Sequence, residues 1–271
     1  MNRRAFALMG FLAAVPLTAP LVAPLAAQDL SGLPDELSTD RPDFTEGTST
    51  VPPGHYQLEG GYTFARQGDE DSSSLGELLV RIGVKDRVEA RLGVGSFSRV
   101  DTGVSGASTL SGYEDPTIGV KIRLTEDDPN LMPPGRPYMS ILLGTSVPIG
   151  SDDLTSDEWQ PEGKLALGWD LTDRFSLGST LIFGYPSDGG ERFNQFAASL
   201  SAAVALTGRW GAYLEGFGFS KESIDGSSTS YLNTGLSYLV SNDVQLDVRV
   251  GTGLDDPSPN WFAGFGGAVR F

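Results

Sequence analysis

The last eleven residues of the chain, Trp261 to Phe271, constrain its fold more than any other stretch. Trp261, Ala263, Phe265, Gly267, Val269 and Phe271 fall on one face of an extended strand. Gly264, Gly266, Ala268 and Arg270 fall on the other, and Phe262 alone breaks the pattern. An apolar face opposite small and charged residues suits a strand with lipid on one side and a polar interior on the other. In hydrocarbon no backbone group can be left unpaired, so such a strand needs a neighbour on both edges. The sheet that contains it must close on itself as a barrel.

The other end of the chain reads as an export signal. Arg3 and Arg4 precede an apolar stretch from Ala5 to Val22, and small residues follow up to Gln28. This is the pattern of a secretory signal peptide, with cleavage expected near Ala27. Pro16, Pro20 and Pro24 interrupt the stretch and no stop-transfer charges follow, which argues against a membrane anchor. The expected organisation is a signal peptide at 1–27, an N-terminal segment at 28–54 and one barrel at 55–271. No later run is long and apolar enough for a spanning helix. Hydrophobic residues make up only 39% of the chain and glycines number 35, as expected when only alternate strand residues need to be apolar. With no cysteine there is neither a disulfide framework nor thiol chemistry. The net charge of −16 excludes nucleic acid as a partner. Acids gather at Asp69-Glu70-Asp71, Asp152-Asp153, Asp157-Glu158 and Asp255-Asp256. These read first as solvated loops and second as sites for divalent ions that bridge lipopolysaccharide.

Two-residue periodicity bounded by turn residues marks twelve strands: 55–66, 74–84, 87–97, 115–124, 137–148, 161–171, 174–185, 192–206, 209–220, 228–240, 243–253 and 260–271. The eleventh alternates cleanly, with Val244, Leu246, Val248 and Val250 opposite Gln245, Asp247, Arg249 and Gly251. The ninth does not: Tyr213, Phe217 and Phe219 compete with Trp210, Ala212 and Leu214, which predicts a bulge or a slipped register. Four connections are tight: Val84 to Val88, Leu171 to Phe175, Leu206 to Trp210 and Val240 to Val244. If strand one runs outward from the periplasm, all four fall on the periplasmic side and Phe271 ends at the periplasmic rim. The longer connections 67–73, 98–114, 149–160, 186–191, 221–227 and 254–259 then face outward. Only 125–136 breaks the rule, as an enlarged periplasmic loop or a miscounted hairpin. The reading is an all-β, antiparallel transmembrane barrel of about twelve strands. A soluble sandwich or a lipocalin-like barrel would have to fill a very large dry core.

The inward face predicted from this alternation carries Gln57, Glu59, Glu77, Arg81, Glu89, Arg91, Lys121, Arg123, Glu162, Lys164, Asp170, Asp247, Arg249 and Arg270. Mixed signs serve two roles at once: ion pairs that brace a water-filled lumen, and a field that tunes which solutes pass. Neighbouring strands are expected to bring Glu59 near Arg270, and Glu77 and Arg81 near Glu89 and Arg91. Catalysis finds little support. His55 is the single histidine, and it sits at the periplasmic start of strand one without an evident serine partner. No metal site, cofactor site or phosphate loop is indicated. A barrel-embedded hydrolase and a structural barrel without transport stay open as alternatives.

The segment ahead of the barrel is distinctive. It reads Ser38-Thr-Asp-Arg-Pro-Asp-Phe-Thr-Glu-Gly-Thr48, then Val51-Pro-Pro-Gly-His-Tyr-Gln-Leu-Glu-Gly-Gly-Tyr-Thr-Phe64. Arg41, Asp43 and Glu46 are spaced to pair with lumen charges. Two placements follow, a periplasmic lead-in or an insertion that constricts the barrel. With Gly112-Tyr-Glu-Asp-Pro-Thr-Ile-Gly-Val-Lys121, Thr145-Ser-Val-Pro-Ile-Gly150 and the terminal strand, this text resembles a transporter-type outer-membrane family connected with the MetA pathway of phenol degradation. The aromatic last residue is also similar to the closing strand of bacterial outer-membrane barrels. His55 departs from the family's usual residue at its position. The resemblance implies an outer-membrane barrel of a Gram-negative-type bacterium that passes small solutes, aromatic or hydrophobic ones among the candidates. It implies as partners outer-membrane lipid and lipopolysaccharide, the solute itself, and the barrel-assembly machinery acting through the strand that ends at Phe271.

Overall fold

The computed structural model describes residues 36–103, 109–126, 135–256 and 258–271. The signal-peptide reading at 1–27 and most of the 125–136 connection lie outside these residues. Among the described residues, alternation of apolar and polar side chains yields sixteen strand segments. Ten are unbroken barrel strands: β1 (Tyr56–Gln67), β2 (Glu70–Lys85), β7 (Tyr138–Ser146), β8 (Gln160–Asp170), β9 (Phe175–Gly184), β12 (Gln195–Thr207), β13 (Trp210–Phe219), β14 (Thr229–Ser241), β15 (Val244–Gly253) and β16 (Trp261–Arg270). Two more barrel strands are each broken once. β3 (Val88–Val94) continues as β4 (Phe97–Asp101), and β5 (Leu110–Tyr113) continues as β6 (Thr117–Arg123). The chain thus forms a closed, antiparallel twelve-strand barrel, at each of the twelve predicted strand positions.

Closure is made by β1 and β16, in register from Gln57 opposite Arg270 to Arg66 opposite Trp261. Tyr56 and Phe271 exchange both backbone hydrogen bonds at 2.8 and 2.9 Å, so the last residue is the final rung of the seam. The polarity of a soluble protein is inverted. Phe265 is 60% exposed on the outer wall, whereas Glu89 and Lys121 are fully enclosed within. Aromatic pairs mark both rims of the outer face: Phe64 with Trp261 and Phe183 with Phe196 at the loop end, and Trp210 with Tyr238 at the turn end. Such girdles flank the apolar band of a transmembrane barrel.

The tight turns after β2, β8, β12 and β14 share one end with the start of β1 and the end of β16. Three of them sit beside a one-residue register shift, at Gly83/Lys85, Ala205/Thr207 and Leu239/Ser241. Bulges of this kind strengthen the local twist where a strand must turn back sharply. At the other end, several expected loops are shorter because the strands run on. Gln67 pairs with Glu70, residues 97–100 pair with 110–113, and Ser187–Asp188 (β10) pairs with Glu191–Arg192 (β11). Beyond the membrane both faces of a hairpin meet water, so stretches such as Ser72-Ser-Ser74 form strand without apolar alternation.

The ninth predicted strand also resolves differently from the expectation. β13 pairs without interruption along β14, so Tyr213, Glu215, Phe217 and Phe219 share the inner face. The register shift lies instead in β12, beside the turn. The exception noted at the C-terminus has the same origin. Phe262 is buried inside the lumen, and its register partner Gly251 has no side chain: a Cβ there would meet the Phe262 ring at 2.2 Å.

Candidate functional site in the barrel lumen

Residues 36–55 enter the barrel at the turn end, rise into the lumen and return to begin β1. Of the two placements the sequence left open, insertion is the one observed. The Leu37 N–H donates to the Asn242 carbonyl in the β14–β15 turn at 2.7 Å. On the return, the Val51 N–H donates to Glu89 at 2.9 Å, and Gly54 and His55 exchange hydrogen bonds with Gly83. The Gly47 N–H donates to the Asp40 carboxylate at 2.8 Å, which ties the two limbs together. The Arg41-Pro42 peptide bond is cis.

One wall of the lumen, from β1, β2, β3 and β6, holds the segment by charge. Asp40 lies 2.6 Å from Arg91, 3.0 Å from Lys121 and 3.4 Å from Arg81. Arg81 also bonds Glu89 at 2.8 Å and Glu59 at 2.9 Å, and it donates to the carbonyls of Ser38 and Ser49. Arg41 reaches the seam, pairing with Glu77 at 2.7 Å and Asp247 at 3.3 Å. Its guanidinium lies over Gly61 and Gly266, register partners where a Cβ would come within 2.4 and 2.5 Å of it. Glu77, which meets it, lies in the β-bulge opposite Gly60 at φ 44°. Arg249 donates to the Pro42 carbonyl at 3.0 Å.

The opposite wall, from β9, β12, β13 and β14, holds the segment by its backbone and by stacking. Glu215, fully enclosed, accepts the N–H groups of Phe44 and Thr45 at 2.8 and 2.7 Å, the Thr45 hydroxyl at 2.6 Å and the Asn233 amide at 2.7 Å. Thr45 also bonds Ser199, and the Glu46 N–H donates to the Thr180 hydroxyl. Phe44 stacks on Phe217 with centroids 4.5 Å apart and meets Phe219 edge-on; Phe217 stacks in turn on Tyr231.

Glu59, Arg81, Glu89, Lys121, Asp247 and Arg270 are buried on the inner face, and Glu77, Arg91, Arg123, Lys164 and Arg249 are part-buried there. Glu59 and Arg270 lie on neighbouring strands of the same inner face, two residues apart in register. The seam register sets Gln57 opposite Arg270, whose guanidinium pairs with Asp243 at 2.6 Å, while Glu59 turns to Arg81. Of the three predicted constriction residues, Arg41 and Glu46 make ion pairs with the wall, and Asp43 lines the turn-end cavities. His55 sits beside the Pro53 carbonyl, 3.1 Å from its Nδ1. Asp40, Glu215, Phe217 and Tyr231 escaped the sequence reading. Glu215 carries the signal that could have found it, since a carboxylate between Tyr213 and Phe217 marks their shared face as the inner one.

The segment leaves space on both sides. A cavity of about 720 Å³ opens toward the loop end, lined by Glu46, Arg91, Leu142, Glu162 and Lys164. Cavities of about 390 and 280 Å³ lie toward the turn end and meet at Thr39, Asp43 and Asp170. At the loop-end rim, burial raises the Asp115 carboxyl, but N–H donors from Ser156 and Gly150 and hydroxyls from Thr155 and Ser156 outweigh it. The group is held below the ordinary carboxylate range.

A closed barrel with an apolar outer belt, aromatic rims and a polar, charge-lined interior is a transmembrane β-barrel. The chain belongs to the family described as "Putative MetA-pathway of phenol degradation", whose profile matches residues 39–271. Its fold is similar to that of an outer membrane channel from Pseudomonas putida F1, at 14% identity over 86% of this chain and 100% of that one, with a TM-score of 0.66. It is also similar to the NanC porin, at 11% identity over 79% and 98% of the two chains, with a TM-score of 0.51. The KdgM porin aligns at 12% identity over 79% and 99%, with a TM-score of 0.50. No curated protein sequence matches the chain.

Proposed function

We propose that this chain is an outer-membrane channel that passes small polar solutes by diffusion, without catalysis. The segment at 36–55 sets the width of its lumen. The observation that carries this reading is the charge-lined space left within one closed wall on both sides of the segment, about 720 Å³ on one side and about 390 and 280 Å³ on the other. A barrel serving envelope integrity alone has no need of open space on both sides of an inserted segment. The tight-turn end faces the periplasm, in keeping with the short periplasmic turns of such barrels. The lumen charges, among them Arg91, Lys164, Glu77 and Arg249, act as the selectivity field.

The test is single-channel recording in planar bilayers with the refolded protein and a variant lacking residues 29–50. Discrete steps are expected from the intact protein, and larger ones from the deletion. Silence from both proteins, each shown to be folded by heat-modifiable gel migration, would sink the channel reading.

A further inference from the structure

Glu46 is the one residue of the inserted segment that lines both the loop-end cavity and a turn-end cavity. Its carboxylate is held across the lumen by Lys164 at 2.9 Å and Arg91 at 3.2 Å. The other carboxylates around these two cations make this contact the one most easily released. If Glu46 swings away, Lys164 keeps Glu162 at 3.2 Å, and Arg91 keeps Asp40 at 2.6 Å and Glu89 at 3.1 Å. Neither cation is stranded, so opening gives up the Glu46 contacts without leaving a buried cation alone. Asp40 is in the opposite position, because its departure would abandon the fully enclosed ammonium of Lys121. The backbone at Glu46 is pinned as well. Its N–H donates to Thr180, and the Gly47 N–H donates to Asp40. The side chain can therefore move while the segment stays in place.

The charge around the joint has a sign. Among the described residues lining the loop-end cavity are five carboxylates and two cations, Arg91 and Lys164. A charged lining of this kind selects by sign, and here its excess of carboxylates concentrates cations in the loop-end cavity that leads to the joint.

Resting on the channel reading above, we infer that Glu46 is the gate and a selectivity-determining residue of the conduction path. The compartments join when this one side chain leaves Lys164 and Arg91, and the path favours cationic solutes.

The test is conductance and reversal potential in a potassium chloride gradient for the full refolded chain and for Glu46→Ala, Lys164→Gln and the deletion of 29–50. The wild type is expected to be cation-preferring. Glu46→Ala should raise conductance severalfold, because it removes the side chain that bridges the lumen, and Lys164→Gln should raise it less, because Glu46 keeps Arg91. Their reversal potentials should move in opposite directions, since Glu46→Ala removes a negative charge from the path and Lys164→Gln removes a positive one. General loosening of the barrel would not produce that opposition. Should Glu46→Ala misfold, Glu46→Gln removes the charge while keeping the shape, and must shift the potential the same way. The inference is overturned if the deletion enlarges the steps while the point variants do not, a result that leaves the channel reading standing. An anion-preferring wild type overturns it equally. Silence from every protein removes the channel reading and the gate with it.

Discussion

The two walls that grip the inserted segment do so by different physics. On the β1–β2–β3–β6 side, Asp40 is read as a side chain, by two arginines and a lysine. On the β9–β12–β13–β14 side, Glu215 reads mainly the backbone, through the N–H groups of Phe44 and Thr45, and Phe44 stacks on Phe217. The first wall therefore demands one particular residue at position 40. The second demands a peptide backbone of the right shape, plus a ring. The difference shows how a lumen can hold an inserted segment in a unique position: charge sets its registry on one side, and hydrogen-bond geometry sets its path on the other.

Asp40→Ala probes the first wall and should have the largest effect. It removes the carboxylate that faces Lys121 and leaves a buried cation uncompensated, at a cost of about 3–5 kcal/mol. Urea unfolding of the refolded protein in detergent measures it, and an unchanged midpoint would break the ranking of the two walls. Glu215→Gln is next. The amide places an N–H₂ group against one of the backbone N–H donors and removes the charge that strengthens the remaining bonds, for a loss of about 2–3 kcal/mol. The same titration measures it, and a loss above that of Asp40→Ala would reverse the comparison. Phe44→Ala should lose about 1–2 kcal/mol, the worth of one stacked and one edge contact. Phe44→Tyr should keep most of the stack, and a loss equal to that of Phe44→Ala would show that ring stacking is not what stabilises this position.

The smallest effect lies outside both walls. Asp115 has its carboxyl held below the ordinary value of about 3.9. Its contribution is present above that value and is lost as pH falls through the lowered one. Amide exchange at Gly150 and Ser156 should therefore quicken at strongly acidic pH while the lumen segment stays protected. In Asp115→Asn that acid-dependent quickening should vanish.

The ionic wall was legible in the sequence because charged residues at alternate positions have one physical explanation in a lipid-facing strand. Glu59, Arg81, Glu89, Arg91 and Lys121 were placed inward by periodicity, and the structure has them there. The other wall was not legible. Tyr213, Phe217 and Phe219 are as apolar as the lipid face, and alternation by hydrophobicity cannot tell an aromatic that meets lipid from one that meets Phe44. The pairing of Arg270 was missed for another reason. Its partner Asp243 lies in the turn before β15, on the edge of β16 away from the seam, and a turn residue carries no alternation that would aim it inward.

The sequence by itself determined the wall: twelve strands, the end at which they turn tightly, and the sidedness that puts apolar residues outside. These follow from local alternation and turn chemistry, which each short stretch carries alone. Only the tertiary structure decided what fills the wall. Whether residues 36–55 lie outside the barrel or within it depends on Asp40, Arg41 and Glu46 meeting partners tens to hundreds of positions away, as Arg41 meets Asp247 across 206 residues. Charge complementarity at that separation has no local period, and it exists only once the sheet has closed and brought the strands around a common space.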